Sequence, residues 1–178
     1  MVGWVRLQNL YSAIRTCIAE GIRGDFVEAG VWRGGASIFA AGVLREAGCL
    51  GRPDLDSEGE QGKQAGCGMD VYLCDSFRGF EPNPWDGDTD WVKLNPLVAV
   101  SQEEVRATFE RYQLGAFLDS SIHFVQGFFA DTLPRLRIRP DSAIAVLRLD
   151  GDLFSSTMDI LFNLYNQVKC DFDSDRAC

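Results

Sequence analysis

The sequence predicts an α/β fold, a parallel sheet with helices on both faces, and three observations predict it. Four short runs, DFVEAGV, VYLCDSF, IHFVQG and AIAVLRLD, are apolar almost throughout. Strands buried on both faces read that way. Helix-period segments separate them, so strand and helix alternate four times. The first run also passes at once into a glycine-rich turn, Glu28-Ala-Gly-Val-Trp-Arg-Gly-Gly35. Sheets of this kind bind ligands beyond the carboxyl ends of their strands. The chemistry is therefore expected just after Glu28, Cys74, Val125 and Leu149.

Residues 5–20 open the chain as an amphipathic helix, with Val5, Leu7, Leu10, Tyr11, Ile14 and Ile18 at helical spacing. Gly21 and Gly24 stop it. A second helix follows the glycine turn through SIFAAGVLREAG. Residues 48–68 are rich in Gly, acids and small polar side chains, and predict an exposed loop insertion. Residues 80–100 hold Pro, Asp and Trp without periodicity and predict a second long loop. Ser101 with Glu104 three positions later is a capping box that opens a third helix. FFADTLPRL predicts a short helix ended by Pro134. The last helix is SSTMDILFNLYNQV, with Met158, Leu161, Phe162, Leu164 and Tyr165 facing inward. The whole, residues 1–178, is expected to be a single domain.

Composition excludes several function classes. Lys and Arg total 17 against 26 Asp and Glu, a net charge of −9. An acidic chain is a poor match for nucleic-acid phosphates or anionic membranes. No apolar run is long enough to span a bilayer, and the N-terminus lacks a signal-peptide pattern. The six cysteines form no CxxC pair, and with the single His123 they make a zinc site a poor reading. They are read as reduced thiols in a cytoplasmic protein, with a Cys49–Cys67 bridge open but unsupported.

Four places carry candidate chemistry. In the first, Gly30 lets the chain turn, while Gly34 and Gly35 let backbone approach a ligand and open a helix N-terminus. The spacing is E-x-G-x-x-x-G rather than the dinucleotide G-x-G-x-x-G, and it fits S-adenosylmethionine. Glu28 can face the ammonium end of that cofactor or order the loop. In the second, Asp75 at the tip of VYLCD can accept hydrogen bonds from ribose hydroxyls, with Ser76 beside it. Asp75 follows Gly30 at more than the roughly 20 positions usual for such folds, and the 48–68 insertion accounts for the excess.

The third place is QGFFADTLP, residues 126–134. Here Phe128 or Phe129, next to Gly127, can rest against a purine, and Asp131 can accept from its amino group. The fourth is LRLDGD, residues 147–152. Asp150, at the strand tip, is the candidate for a metal or substrate role, and Asp152 for ordering the turn or capping the next helix. Arg148 can neutralise one of the two. The DGDTD run at 86–90 imitates an EF-hand but has Trp91 where the motif needs Gly, so it is rejected. His123 lies inside a strand and reads as a packed side chain.

Together these stretches resemble the macrocin O-methyltransferase family, which includes the tylosin and mycinamicin sugar methyltransferases. RLQNL, GDFVEAGVWRGGASIF, DSFRGF, VSQEEVRATFERYQL, GFFADTLP and AVLRLDGDLFSSTMD carry the resemblance, from Val5 to about Tyr165. It implies a Rossmann-like class I methyltransferase fold that uses S-adenosylmethionine and Mg²⁺. It implies that Glu28, Gly30, Asp75 and the 127–131 segment hold the cofactor and that Asp150 is a metal ligand. The implied reaction is O-methylation of a hydroxyl on a sugar or other small-molecule natural product.

The chain leaves the family pattern near Asn166, before the family's fifth strand and its paired Asp residues. The expectation is a cofactor half-site, an incomplete metal site, missing last strands, and an open sheet edge that favours homo-oligomers. Two other readings compete. A nicotinamide-dependent reductase would share the glycine turn and Asp75 but needs a proton donor this sequence lacks. A non-catalytic cofactor-binding domain would keep the fold without the chemistry.

Overall fold

Four parallel strands form the sheet, in the order β3-β2-β1-β4: β1 (Asp25–Ala29), β2 (Val71–Asp75), β3 (Ile122–Gln126) and β4 (Ile144–Leu149). The computed structural model describes residues 2–51, 67–80, 97–136 and 143–169. Between and around the strands run α1 (Trp4–Ala19), α2 (Gly35–Glu46), α3 (Gln102–Arg111), α4 (Phe129–Thr132) and α5 (Phe154–Leu164). Each strand falls where an apolar run predicts it.

β1 is buried at all five positions because it has a neighbour on each side and helices above and below. Its alternation splits the core into two layers. Phe26, with Val71, Leu73 and Ile122, packs under α1, α2 and α3 against Ile14, Leu44 and Phe109. Val27 and Ala29, with Tyr72 and Cys74, pack on the other face against Leu133, Ile160 and Leu164. Each fully buried Ile, Leu or Phe contributes roughly 1.5–3 kcal/mol.

α3 starts on the capping box the sequence predicts. The Glu104 N–H donates to the Ser101 hydroxyl at 3.2 Å, and the Ser101 N–H donates back to the Glu104 carboxylate at 2.9 Å. Which sides of α1 and α5 face inward needs correction. In α1, Leu10, Ile14 and Cys17 are buried, while Val5 and Tyr11 are exposed. In α5, Ile160 and Leu164, one turn apart, meet the sheet, and Leu161, Phe162 and Tyr165 face outward. Periodicity identifies such a stripe, but a helix apolar on more than one side does not announce which side the sheet takes.

A second correction concerns the cysteines. Cys49 and Cys67 form a disulfide, so not all six are reduced thiols. The bridge closes the base of the 48–68 insertion. Beside it, Leu50 pairs with Met69, and the Met69 N–H donates to the Cys49 carbonyl at 2.8 Å. Cys17 and Cys74 are free and buried, and burial pushes the Cys74 thiol up to about 12. His123 is packed, with its ring 4.8 Å from that of Tyr72 and its Nε2 3.4 Å from the Asp70 carboxylate. The interior of the insertion, the EF-hand-like run at 86–90, Cys170 and Cys178 lie outside the described residues. Among the described residues no helix is long and apolar enough to cross a membrane.

Candidate functional site

The chain leaves β1 for α2 on one face of the sheet and leaves β4 for α5 on the other. That reversal opens a crevice between adjacent strands, the usual ligand position in such sheets. A cavity of about 970 Å³ lies there, bordered by the exits of all four strands.

The exit of β1 is shaped by close packing. Gly30 has φ +94°, and a β-carbon on it would collide with the Asp150 carbonyl. The ladder continues past both strand ends, with Gly30 N–H on the Cys74 carbonyl and Asp150 N–H on the Ala29 carbonyl. Gly34 caps α2 in the left-handed region at φ +76°, where a β-carbon would come within 2.9 Å of Val105. Gly35 and Ala36 line the cavity and Gly34 does not. Gly34 itself offers α2 no side-chain cap, and Gly35 and Ala36 of its first turn border the crevice. Trp32, inside this turn, holds φ +47° and donates its indole N–H to the Leu97 carbonyl at 3.1 Å. Phe77 and Asp152 sit at φ +55° and +59° just after β2 and β4. Such conformations gather at binding loops, where surrounding structure holds them.

Asp75 lies at the tip of β2 and lines the cavity. One carboxylate oxygen accepts from the Val31 N–H at 2.7 Å and the Trp32 N–H at 3.2 Å. The other accepts from the Phe77 N–H at 2.9 Å. Asp75 therefore pins the glycine turn to the exit of β2. Ser76 lines the cavity too, but its hydroxyl donates to the Gly79 carbonyl at 2.5 Å and shapes the next turn.

Across the crevice runs a chain of charged groups. Glu28 is buried, accepts from the Ser37 hydroxyl, and accepts from Arg148 Nη1 at 2.6 Å. Arg148 Nη2 donates to the Asp150 carboxylate at 2.6 Å. Burial pushes the Glu28 carboxyl up to about 7, while Ser37 and Arg148 pull the other way. Asp152 is also raised, by burial and by the charges of Asp150 and Asp75. Asp75, Asp150 and Asp152 thus meet on the cavity lining, with Arg148 among them. Asp152 does not cap α5, whose N-cap is Leu153. The role of Arg148 was open to period-2 reasoning: Asp150 follows it by two positions, just past the end of β4, and Arg148 pairs in register with Glu28.

Past β3, Gly127 and Phe128 line the cavity, and the Arg78 guanidinium lies 5.2 Å from the centre of the Phe128 ring. Asp131 is exposed on α4 and does not line the cavity. Phe129 lines the cavity and also packs on the α5 layer.

Among the described residues no three His, Cys, Asp or Glu side chains form a metal-binding group. Asp150, the expected ligand, is tied to Arg148. Mg²⁺ is held by one or two carboxylates with water completing its shell, and among the described residues the carboxylate expected to hold it is engaged by a guanidinium, so this arrangement does not fit the ion.

The macrocin-O-methyltransferase (TylF) family model matches residues 1–171. The chain is similar to an 8-demethyl-8-(2,3-dimethoxy-α-L-rhamnosyl)-tetracenomycin-C 4'-O-methyltransferase of Streptomyces olivaceus, 41% identical over 95% of this chain and 58% of that one. Demethyldecarbamoylnovobiocin O-methyltransferase of Streptomyces niveus is 39% identical over 95% of this chain and 58% of its own length. Mycinamicin III 3''-O-methyltransferase of Micromonospora griseorubida is 35% identical over 95% of this chain and 60% of its own. This chain thus spans about three-fifths of the length of these curated relatives. The solved O-methyltransferase NovP superposes with a TM-score of 0.76 at 37% identity, covering 94% of this chain and 62% of that one. By its match over nearly the whole length, the chain belongs to the macrocin-O-methyltransferase (TylF) family.

Proposed function

We propose that residues 1–178 are one S-adenosylmethionine-binding domain, which methylates a hydroxyl on a sugar or other small-molecule natural product. The observation that carries this is the cavity at the β1/β4 crevice, bordered by the Asp75-pinned glycine turn and by an acidic β4 tip. When bound, S-adenosylmethionine supplies a methyl group on a cationic sulfur.

Glu28, Gly30, Gly34, Asp75, Ser76, Gly127 and Phe128 make up the cofactor side of the proposal. Gly30 and Gly34 act by setting the turn, and Asp75 by holding its amides, with at most one lone pair left for a ribose hydroxyl. Phe128 offers an aromatic face to the purine. Asp131 lies outside the cavity and is left out of the proposal. Asp150 is the catalytic residue of the proposal. Its carboxylate accepts from the acceptor hydroxyl and takes up the proton that oxygen loses. An Mg²⁺ requirement has no donor set among the described residues, so no step is derived through it.

A cytoplasmic location belongs to the same proposal. Reduction there would open the Cys49–Cys67 bridge and leave the Leu50–Met69 pairing to hold the insertion base.

The test is transfer of labelled methyl from S-adenosylmethionine to a panel of hydroxylated acceptors, sugar-bearing aromatics among them. Label in an acceptor, abolished in Asp150→Asn even at saturating cofactor, is the expected result. A folded protein that binds the cofactor and labels no member of the panel would remove the transferase reading and leave a binding domain.

A further inference from the structure

Arg148 lines the crevice and is joined at 2.6 Å both to Glu28 on β1 and to Asp150 beyond the tip of β4. Its side chain is mostly buried, and that of Asp150 is 42% exposed. A carboxylate that open to the cavity has several rotamers available, and the guanidinium fork selects one of them. Glu28 is fixed in turn by the Ser37 hydroxyl, and Ser37 is fully buried in the first turn of α2. The Asp150 carboxylate is thereby referenced to the α2 N-terminus through an unbroken chain of three polar contacts.

We infer that Arg148 is a positioning residue: it acts on the cofactor through Asp150, holding that carboxylate where it faces the cationic end of S-adenosylmethionine. The inference rests on the cofactor reading above. Lysine cannot replace the fork, because one ammonium does not reach two carboxylates in the same planar geometry.

The experiment is a double-mutant cycle in Arg148→Met and Asp150→Asn, read as the Kd for S-adenosylmethionine by calorimetry and beside it the Tm of each variant. Arg148→Met and Asp150→Asn should each weaken binding, by roughly tenfold. The double variant should bind no worse than the weaker single variant, and Arg148→Lys should recover only part of the loss. Should Arg148→Met fold poorly because Glu28 is left buried without its cation, Arg148→Met in a Glu28→Gln background serves as the parent of the same cycle. Losses that multiply in the double variant would overturn the inference, and so would wild-type affinity in Arg148→Met with only its Tm lowered. A folded wild-type chain that does not bind the cofactor at all would instead remove the cofactor reading beneath it.

Discussion

Glu28 sits against a guanidinium and still holds its proton to about 7, because loss of water outweighs the ion pair. A carboxyl raised in the folded state makes that state the tighter proton binder. Its stabilisation is complete below the ordinary value of 4.5 and is lost as pH rises through about 7. Thermal melts of wild type and Glu28→Gln should therefore diverge across that window, with wild type losing ground as pH rises. Parallel curves would mean that Glu28 ionises freely. Gly30 makes a second prediction at this scale. Gly30→Ala forces a β-carbon into the Asp150 carbonyl at a left-handed φ, and should cost roughly 3 kcal/mol or more in urea unfolding. A cost below about 0.5 kcal/mol would show that β1 and β4 do not approach as described. Of the residues singled out by sequence, Asp75 and Asp150 were legible because acids at strand tips stand out. What they bond to was not legible, since the Val31 and Trp32 amides that Asp75 holds come from another strand's turn.

Elements were easier to read than their facings. All four strands and the five helices match the predicted order, because short apolar runs and 3.6-residue periodicity are local properties. The cap of α3 was legible for the same reason, as both partners lie within one turn. Replacing it in Ser101→Ala should destabilise the protein by about 1 kcal/mol, measured as a shift in the urea midpoint at constant slope. No shift would remove the capping box from the account. The inward side of α5 depended on where the sheet lay and could not be read locally. Phe162, expected inside, is 75% exposed, while Ile160 is fully buried. The disulfide is a case between the two. Cys49 and Cys67 are 18 positions apart, and the Leu50–Met69 pairing at the base of the insertion brings them together.

At the scale of the molecule, β4 has β1 on one side, and on the other, among the described residues, the chain pairs with it where Val168 meets Ile144. Along α5 and just after it, Phe154, Phe162 and Tyr165 stand more than half exposed. Apolar surface of this kind favours association. Light scattering should show a mass that rises with concentration, and a monomer at every concentration would contradict it. The central claim is a cofactor cavity at the crevice between β1 and β4, and its most direct test is calorimetric titration of the purified chain with S-adenosylmethionine, with NAD as the comparison. The account predicts saturable binding of S-adenosylmethionine, none of NAD, and loss of binding in Asp75→Ala, whose glycine turn is no longer pinned. A folded sample that binds neither, or that prefers NAD, would contradict it.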